Sequence, residues 1–137
     1  MLERVMPGSL ALGEIDIFLK AIQTDEHAGD LEFVAISILE GRKQLWRWRD
    51  DSSFGILLTV VNLNDDGTKE LIVSGMAGEG LRFVKKIVVS ELEKAAKDLG
   101  CNYLVALVEN NTIKKLYKSR LGFEEKFSFM MKEISHG

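Results

Sequence analysis

Hydrophobic positions recur first at helical spacing, then alternate, then run almost unbroken, and this succession divides the chain into elements. Leu12, Ile15, Leu19 and Ile22 predict a helix over residues 9–23 with Ser9 as its N-cap, a phase that turns Glu14 and Asp16 toward solvent. Residues 23–29 are polar and end it. Asp30 then caps a second helix, whose Leu31, Val34, Ile38 and Leu39 lead to Gly41. A strand ahead of these helices is confined at best to residues 2–6.

Residues 44–49 alternate: Leu45, Arg47 and Arg49 point one way, Gln44, Trp46 and Trp48 the other, the period of a half-buried strand. Residues 54–62 are nearly all apolar, as in a central strand covered on both faces. The turn signal Asn64, Asp65, Asp66, Gly67 folds this strand back into another over residues 69–74. A glycine turn at residues 75–80 follows. Beyond it Leu81, Val84, Val88, Leu92, Ala95 and Leu99 form one stripe, widened by Phe83 and Ile87, with Lys85, Lys86, Glu91, Glu93, Lys94, Lys97 and Asp98 opposite. The β-branched Ile87, Val88 and Val89 argue for a strand starting at Phe83, but the unbroken stripe decides for a helix. Gly100 stands where a C′ glycine belongs, and residues 102–109 form the next strand, so strand, helix and strand make a right-handed crossover with parallel strands. Asn110 or Asn111 caps a further helix with Ile113, Leu116 and Tyr117 on one face, Gly122 stops it, and residues 123–134 read as one last strand.

Counted together, these elements predict a mixed α/β domain over residues 1–137, with a central antiparallel and parallel sheet of about six strands flanked by about four helices. No window of about 18 apolar residues could span a bilayer. Cys101 is the single cysteine, and the amino terminus lacks a basic segment leading into an apolar run, so a soluble protein of the reducing cytoplasm is expected. A net charge of −3 argues against a general polyanion binder. Trp46 and Trp48 with Arg47 and Arg49 could stack on bases and clamp phosphates, but paired aromatics on one strand face commonly bury, and packing is the expectation. With two histidines, His27 and His136, no zinc-ligand set and no Ser/His/Asp or Cys/His arrangement emerges.

The chemistry concentrates between Lys69 and Phe123. Gly75, Gly78 and Gly80, between a strand and a helix start, let backbone N–H groups approach an anion at the positive end of the helix dipole. Arg82, Lys85 and Lys86 oppose that dipole, which a bound phosphate explains as well as solvation of an exposed face does. Helix, helix, three antiparallel strands, glycine turn, long helix, parallel strand and an Asn-capped helix with Leu-Tyr and Gly-Phe: this order resembles the GNAT acyltransferase superfamily. That family's pyrophosphate loop reads Gln or Arg, two residues, Gly, one residue, then Gly or Ala. Here Gly78 and Gly80 match, Gly75 stands in place of the Gln or Arg, and Glu79 adds a negative charge. Asn110, Ile113, Leu116, Tyr117, Gly122 and Phe123 resemble the family's Asn, Ala, Leu-Tyr, Gly-Phe series, with one extra residue before Gly122.

The resemblance implies acetyl-CoA as co-substrate. The backbone of Ile72, Val73 and Ser74 would supply amide contacts where the strands 69–74 and 102–109 diverge. Gly75, Gly78, Gly80, Leu81 and Arg82 would hold the phosphates, and Asn110 the pantetheine arm. Tyr117 would protonate the leaving thiolate as general acid, and Glu70 is the candidate base for an unidentified amine. Read without the family, Tyr117 and Leu116 pack on the sheet and Glu70 is an exposed strand-end charge. A compact chain of this kind is also similar to small GNAT-like proteins carried by bacteriophages. The resemblance therefore implies either acetyl transfer to an amine by direct attack, or a catalytically inactive binding or assembly module with a protein partner. A homodimer is compatible with both.

Overall fold

Most element boundaries follow from local signals. The structure, a computed structural model, describes residues 1–24, 30–51, 54–79, 86–107, 124–126 and 129–135. In chain order the elements are β1 (Leu2–Val5), α1 (Leu12–Gln23), α2 (Leu31–Leu39), β2 (Lys43–Arg49), β3 (Phe54–Leu63), β4 (Lys69–Glu79), α3 (Lys86–Asp98), β5 (Tyr103–Leu107), β6 (Glu124–Lys126) and β7 (Phe129–Glu133). Among the described residues the sheet order is β1-β2-β3-β4-β5-β7-β6. It is mixed, antiparallel except where β4 runs parallel to β5. The expected mixed α/β class and mixed sheet hold, with seven strands in the sheet among the described residues. Two compact units divide the chain, Met1–Val60 with Ser74–Lys85, and Val61–Val73 with Lys86–Gly137.

In the first unit, β1 pairs with β2 and β2 with β3. Leu45, Ile56 and Leu58 on one sheet face pack with Ile17, Phe18, Ala21 and Ile22 of α1 and Val34 and Ile38 of α2. The opposite face buries Trp46 and Trp48, as the packing reading expects. Trp48 lies opposite Gly55 in the β2–β3 register. The Trp46 Nε1–H donates to Thr59 Oγ1 at 2.8 Å, and the Thr59 hydroxyl donates to Gln44 Oε1 at 2.8 Å, so these buried polar groups satisfy one another.

Helix α2 keeps its predicted cap, with the Phe33 N–H donating to Asp30 Oδ1 at 3.0 Å. Its predicted face needs correction, because Leu31 and Leu39 are exposed while Ser37 is buried and donates to the Phe33 carbonyl. Helix α1 departs further. Ser9 sits in a 3₁₀ turn, Pro7–Ser9, and caps nothing; the helix begins at Leu12 behind Ala11, whose N–H donates to Glu14 Oε1 at 2.9 Å. The buried face is Glu14, Ile17, Phe18, Ala21 and Ile22, whereas Leu12 is 88% exposed and Ile15 and Leu19 are also exposed. Charge explains the rotation. Arg47, already paired across the strands with Glu3 at 2.7 Å, meets Glu14 Oε1 at 2.9 Å, and Arg49 meets Glu14 Oε2 at 2.6 Å. Burial raises the Glu14 pKa, but the Ala11 N–H and the guanidiniums of Arg49 and Arg47 outweigh it and hold the carboxyl below the usual range.

In the second unit, Asn64 and Thr68 close the β3–β4 hairpin around Gly67, whose φ of 87° is what a glycine turn supplies. Helix α3 buries Val88, Val89, Leu92, Ala95 and Ala96, so residues 86–98 are helical and the competing strand is overturned there. Gly100, at φ 75°, ends the helix with paired bonds from Gly100 N–H to the Lys97 carbonyl and from Cys101 N–H to the Ala96 carbonyl. The crossover then delivers β5 parallel to β4, in register from Glu70↔Tyr103 to Val73↔Ala106. Asn102 clasps the start of this pair: its Oδ1 accepts the Lys69 N–H at 3.0 Å and its N–H donates to the Lys69 carbonyl at 2.8 Å. The single last strand is corrected to two, β6 and β7, paired antiparallel from Glu124↔Met131 to Lys126↔Phe129. Two residues separate them, and neither is a glycine, proline or asparagine that would announce a turn. The helix expected from Asn110 to Gly122 lies outside the described residues.

Candidate functional site

Strand β4 carries the described part of the site. Alternation along it puts Leu71 and Val73 on a buried face, while Glu70 and Ile72 share the other and are half-buried. Glu70 opens the parallel pair beside Tyr103, Ile72 stands beside Val105, and Val73 beside Ala106. These three residues belong to the second unit. Ser74, Gly75 and Gly78 belong to the first, where Ser74 is buried and its hydroxyl donates to the Leu58 carbonyl at 3.4 Å.

The expected glycine turn is corrected over residues 75–79. β4 runs to Glu79, so Gly75 and Gly78 are strand residues, Gly75 buried and Gly78 exposed. Neither has the left-handed φ found at Gly41, Gly67 and Gly100. Three glycines within six residues signalled a turn, but extended backbone accepts glycine equally, and the hairpin and sheet neighbours extend the strand. Gly80, Leu81 and Arg82 lie outside the described residues, as do Asn110 and Tyr117.

One contact at this strand has no sequence signal. Thr24, at the C-terminal cap of α1, accepts the Met76 N–H at 2.9 Å through Oγ1 and donates to the Ala21 carbonyl at 2.8 Å. It lies in the polar run read only as a helix terminator, 52 residues from its partner. Neighbouring Ala77 packs against the α1–α2 core. Glu14, Arg47 and Arg49 are equally invisible as a set, since they come together only when α1 lies over β2.

The arrangement is a mixed sheet whose β4 continues past its parallel pairing with β5 and ends in glycine-rich backbone, followed by a helix. No protein-family model and no curated protein matches the sequence. Solved structures do match. A probable acetyltransferase superposes with a TM-score of 0.65 at 12% identity, covering 94% of this chain and 93% of that one. A putative acetyltransferase from Agrobacterium tumefaciens gives 0.59 at 18%, covering 92% and 94%. The chain has the GNAT acetyltransferase fold. A third match, at a TM-score of 0.55 and 11% identity over 98% of this chain and 92% of that one, is a mutant AtaT toxin bound to the C-terminus of the antitoxin AtaR and to acetyl-CoA. Among the described residues no three His, Cys, Asp or Glu side chains gather to hold a metal. No described helix is long and apolar enough to cross a membrane.

Proposed function

We propose that this chain is a GNAT-fold N-acetyltransferase that moves the acetyl group of acetyl-CoA to an amine by direct attack. The observation that carries the reading is the likeness to acetyltransferase structures over more than nine-tenths of the chain, one of them containing acetyl-CoA. Its residue-level support is the parallel β4–β5 pair, which includes Ile72 and Val73 on the strand that also carries Ser74 and Gly78. The backbone groups of Ile72, Val73 and Ser74 would hold the pantetheine arm with Asn110, while Gly78, Gly80, Leu81 and Arg82 would face the phosphates. The amine nitrogen attacks the thioester carbonyl carbon, the C–N bond forms, and the C–S bond breaks. The Tyr117 phenol gives its proton to the departing thiolate, and Glu70, directly or through a water, takes the proton the amine loses.

A second reading is favoured by one observation: Gly75 is buried inside β4 where the family places a Gln or Arg side chain. On that reading the chain keeps the fold without turnover and acts as a binding or assembly module for a protein partner, of the kind phages encode. The two readings separate on thiol release. Acetyl-CoA incubated with a panel of amines should release free CoA together with an acetylated product. Tyr117→Phe should lower turnover about 100-fold while leaving acetyl-CoA affinity within about twofold. Equal loss of turnover and affinity rejects Tyr117 as the acid, and binding without any release supports the module.

A further inference from the structure

We infer that Thr24 is a positioning residue for acetyl-CoA, fixing the end of β4 from which the glycine-rich backbone is presented. The inference rests on the reading of β4 as the acetyl-CoA strand. A strand that passes through Gly75 and Gly78 has few side chains of its own to anchor it, and interior glycines weaken a strand. Its neighbours must therefore hold it. On one side of Gly75, Ser74 is buried and bonded to the Leu58 carbonyl. On the other side, the backbone of Met76 is held by Thr24 and the methyl of Ala77 by the α1–α2 core.

The Thr24 hydroxyl has one hydrogen. The Ala21 carbonyl at 2.8 Å takes it in preference to the Met76 carbonyl at 3.3 Å, which leaves an oxygen lone pair for the Met76 N–H at 2.9 Å. The result is a chain of two bonds, from Met76 N–H through the hydroxyl to Ala21, in which each bond polarises the next. Ala21 is fully buried among Ile17, Phe18 and Ile22, so the chain ends on a fixed point. The last turn of α1 thereby sets the position of the backbone two residues ahead of Gly78. A threonine is suited to this task because its β-branch restricts χ1 and aims the hydroxyl.

Thr24→Val keeps the shape and removes the hydroxyl, and Thr24→Ser keeps the hydroxyl. Amide hydrogen exchange resolved at Met76 and calorimetric titration with acetyl-CoA are the readouts, with thermal melting to confirm that each variant is folded. Wild type and Thr24→Ser should protect the Met76 amide and bind acetyl-CoA within about twofold of each other. Thr24→Val should exchange Met76 about tenfold faster and bind acetyl-CoA about tenfold more weakly, the loss expected for one hydrogen bond of about 1.4 kcal/mol. Unchanged affinity in Thr24→Val, or failure of Thr24→Ser to restore it, overturns the positioning role. Absence of acetyl-CoA binding in the wild type overturns the functional reading itself, an outcome visible before any variant is compared.

Discussion

Helix α3 lies against β5 and buries Val88, Val89, Leu92, Ala95 and Ala96, with Lys94, Lys97 and Asp98 exposed, whereas α1 is fixed near its start by Glu14 and at its end by Thr24, and leaves Leu12, Ile15 and Leu19 exposed. Both helices bury apolar side chains, so burial alone does not distinguish them. The difference is that α1 offers two apolar faces of similar size, and a charge cluster selects between them. Turning α1 to bury Leu12, Ile15 and Leu19 would expose Ile17 and Phe18 and strip Arg47, which is 15% exposed, of one of its two carboxylates. Leaving a mostly buried guanidinium short of a partner costs more than a modest change in apolar area recovers.

Substitutions should separate the two helices. The largest effect is expected in α3: Leu92→Ala removes a buried side chain from a purely apolar face and should lower stability by about 3 kcal/mol, measured by urea denaturation. In α1 the comparable loss should come from a charged residue. Glu14→Gln should cost about 2 kcal/mol at neutral pH. Its pH dependence gives a second check. A carboxyl whose folded pKa is depressed contributes stability that is fully present above its unfolded pKa and is lost as pH falls through the folded value. The gap between wild type and Glu14→Gln should therefore be constant from about pH 7 down to the ordinary carboxylate range and close below it. A gap that stays open as the pH falls below that range rejects the charge anchor.

Smaller effects complete the series. Trp46→Phe removes the donor to Thr59 while keeping an aromatic body, and should cost about 1 kcal/mol in the same denaturation assay. The double substitution Leu12→Ser and Leu19→Ser should change stability by no more than about 0.5 kcal/mol, although the spacing marks both as core. A loss as large as that of Leu92→Ala would show that this face is covered in solution.

What the sequence made legible was local. The Asp30 cap, the turn at Gly67, the C′ position of Gly100 and the crossover into β5 each depend on residues a few positions apart, and each was found where expected. The fold likeness followed from the order of these elements. The misread features depend on partners far along the chain. The α1 face is decided by Arg47 and Arg49, more than 30 residues away. The hydroxyl that receives Met76 comes from a residue 52 positions earlier. β4 outruns its expected end because glycine is compatible with both turn and strand, and only neighbouring elements choose. The split between β6 and β7 escaped because the alternation of Phe127, Phe129 and Met131 continues across it, and Ser128 alone is a weaker turn signal than an Asn-Gly or Asp-Gly pair. Of the candidate site, Glu70 through Gly78 can be placed on one strand, while the tyrosine and the asparagine rest on their match to the family's series.

On the proposed function, this chain takes acetyl-CoA despite a glycine at position 75 and a glutamate at position 79. Calorimetric titration of the full chain with acetyl-CoA tests it most directly. Saturable one-to-one binding with a dissociation constant between about 1 μM and about 1 mM is expected, accompanied by a rise in melting temperature. No heat and no thermal shift at about 1 mM acetyl-CoA would contradict it.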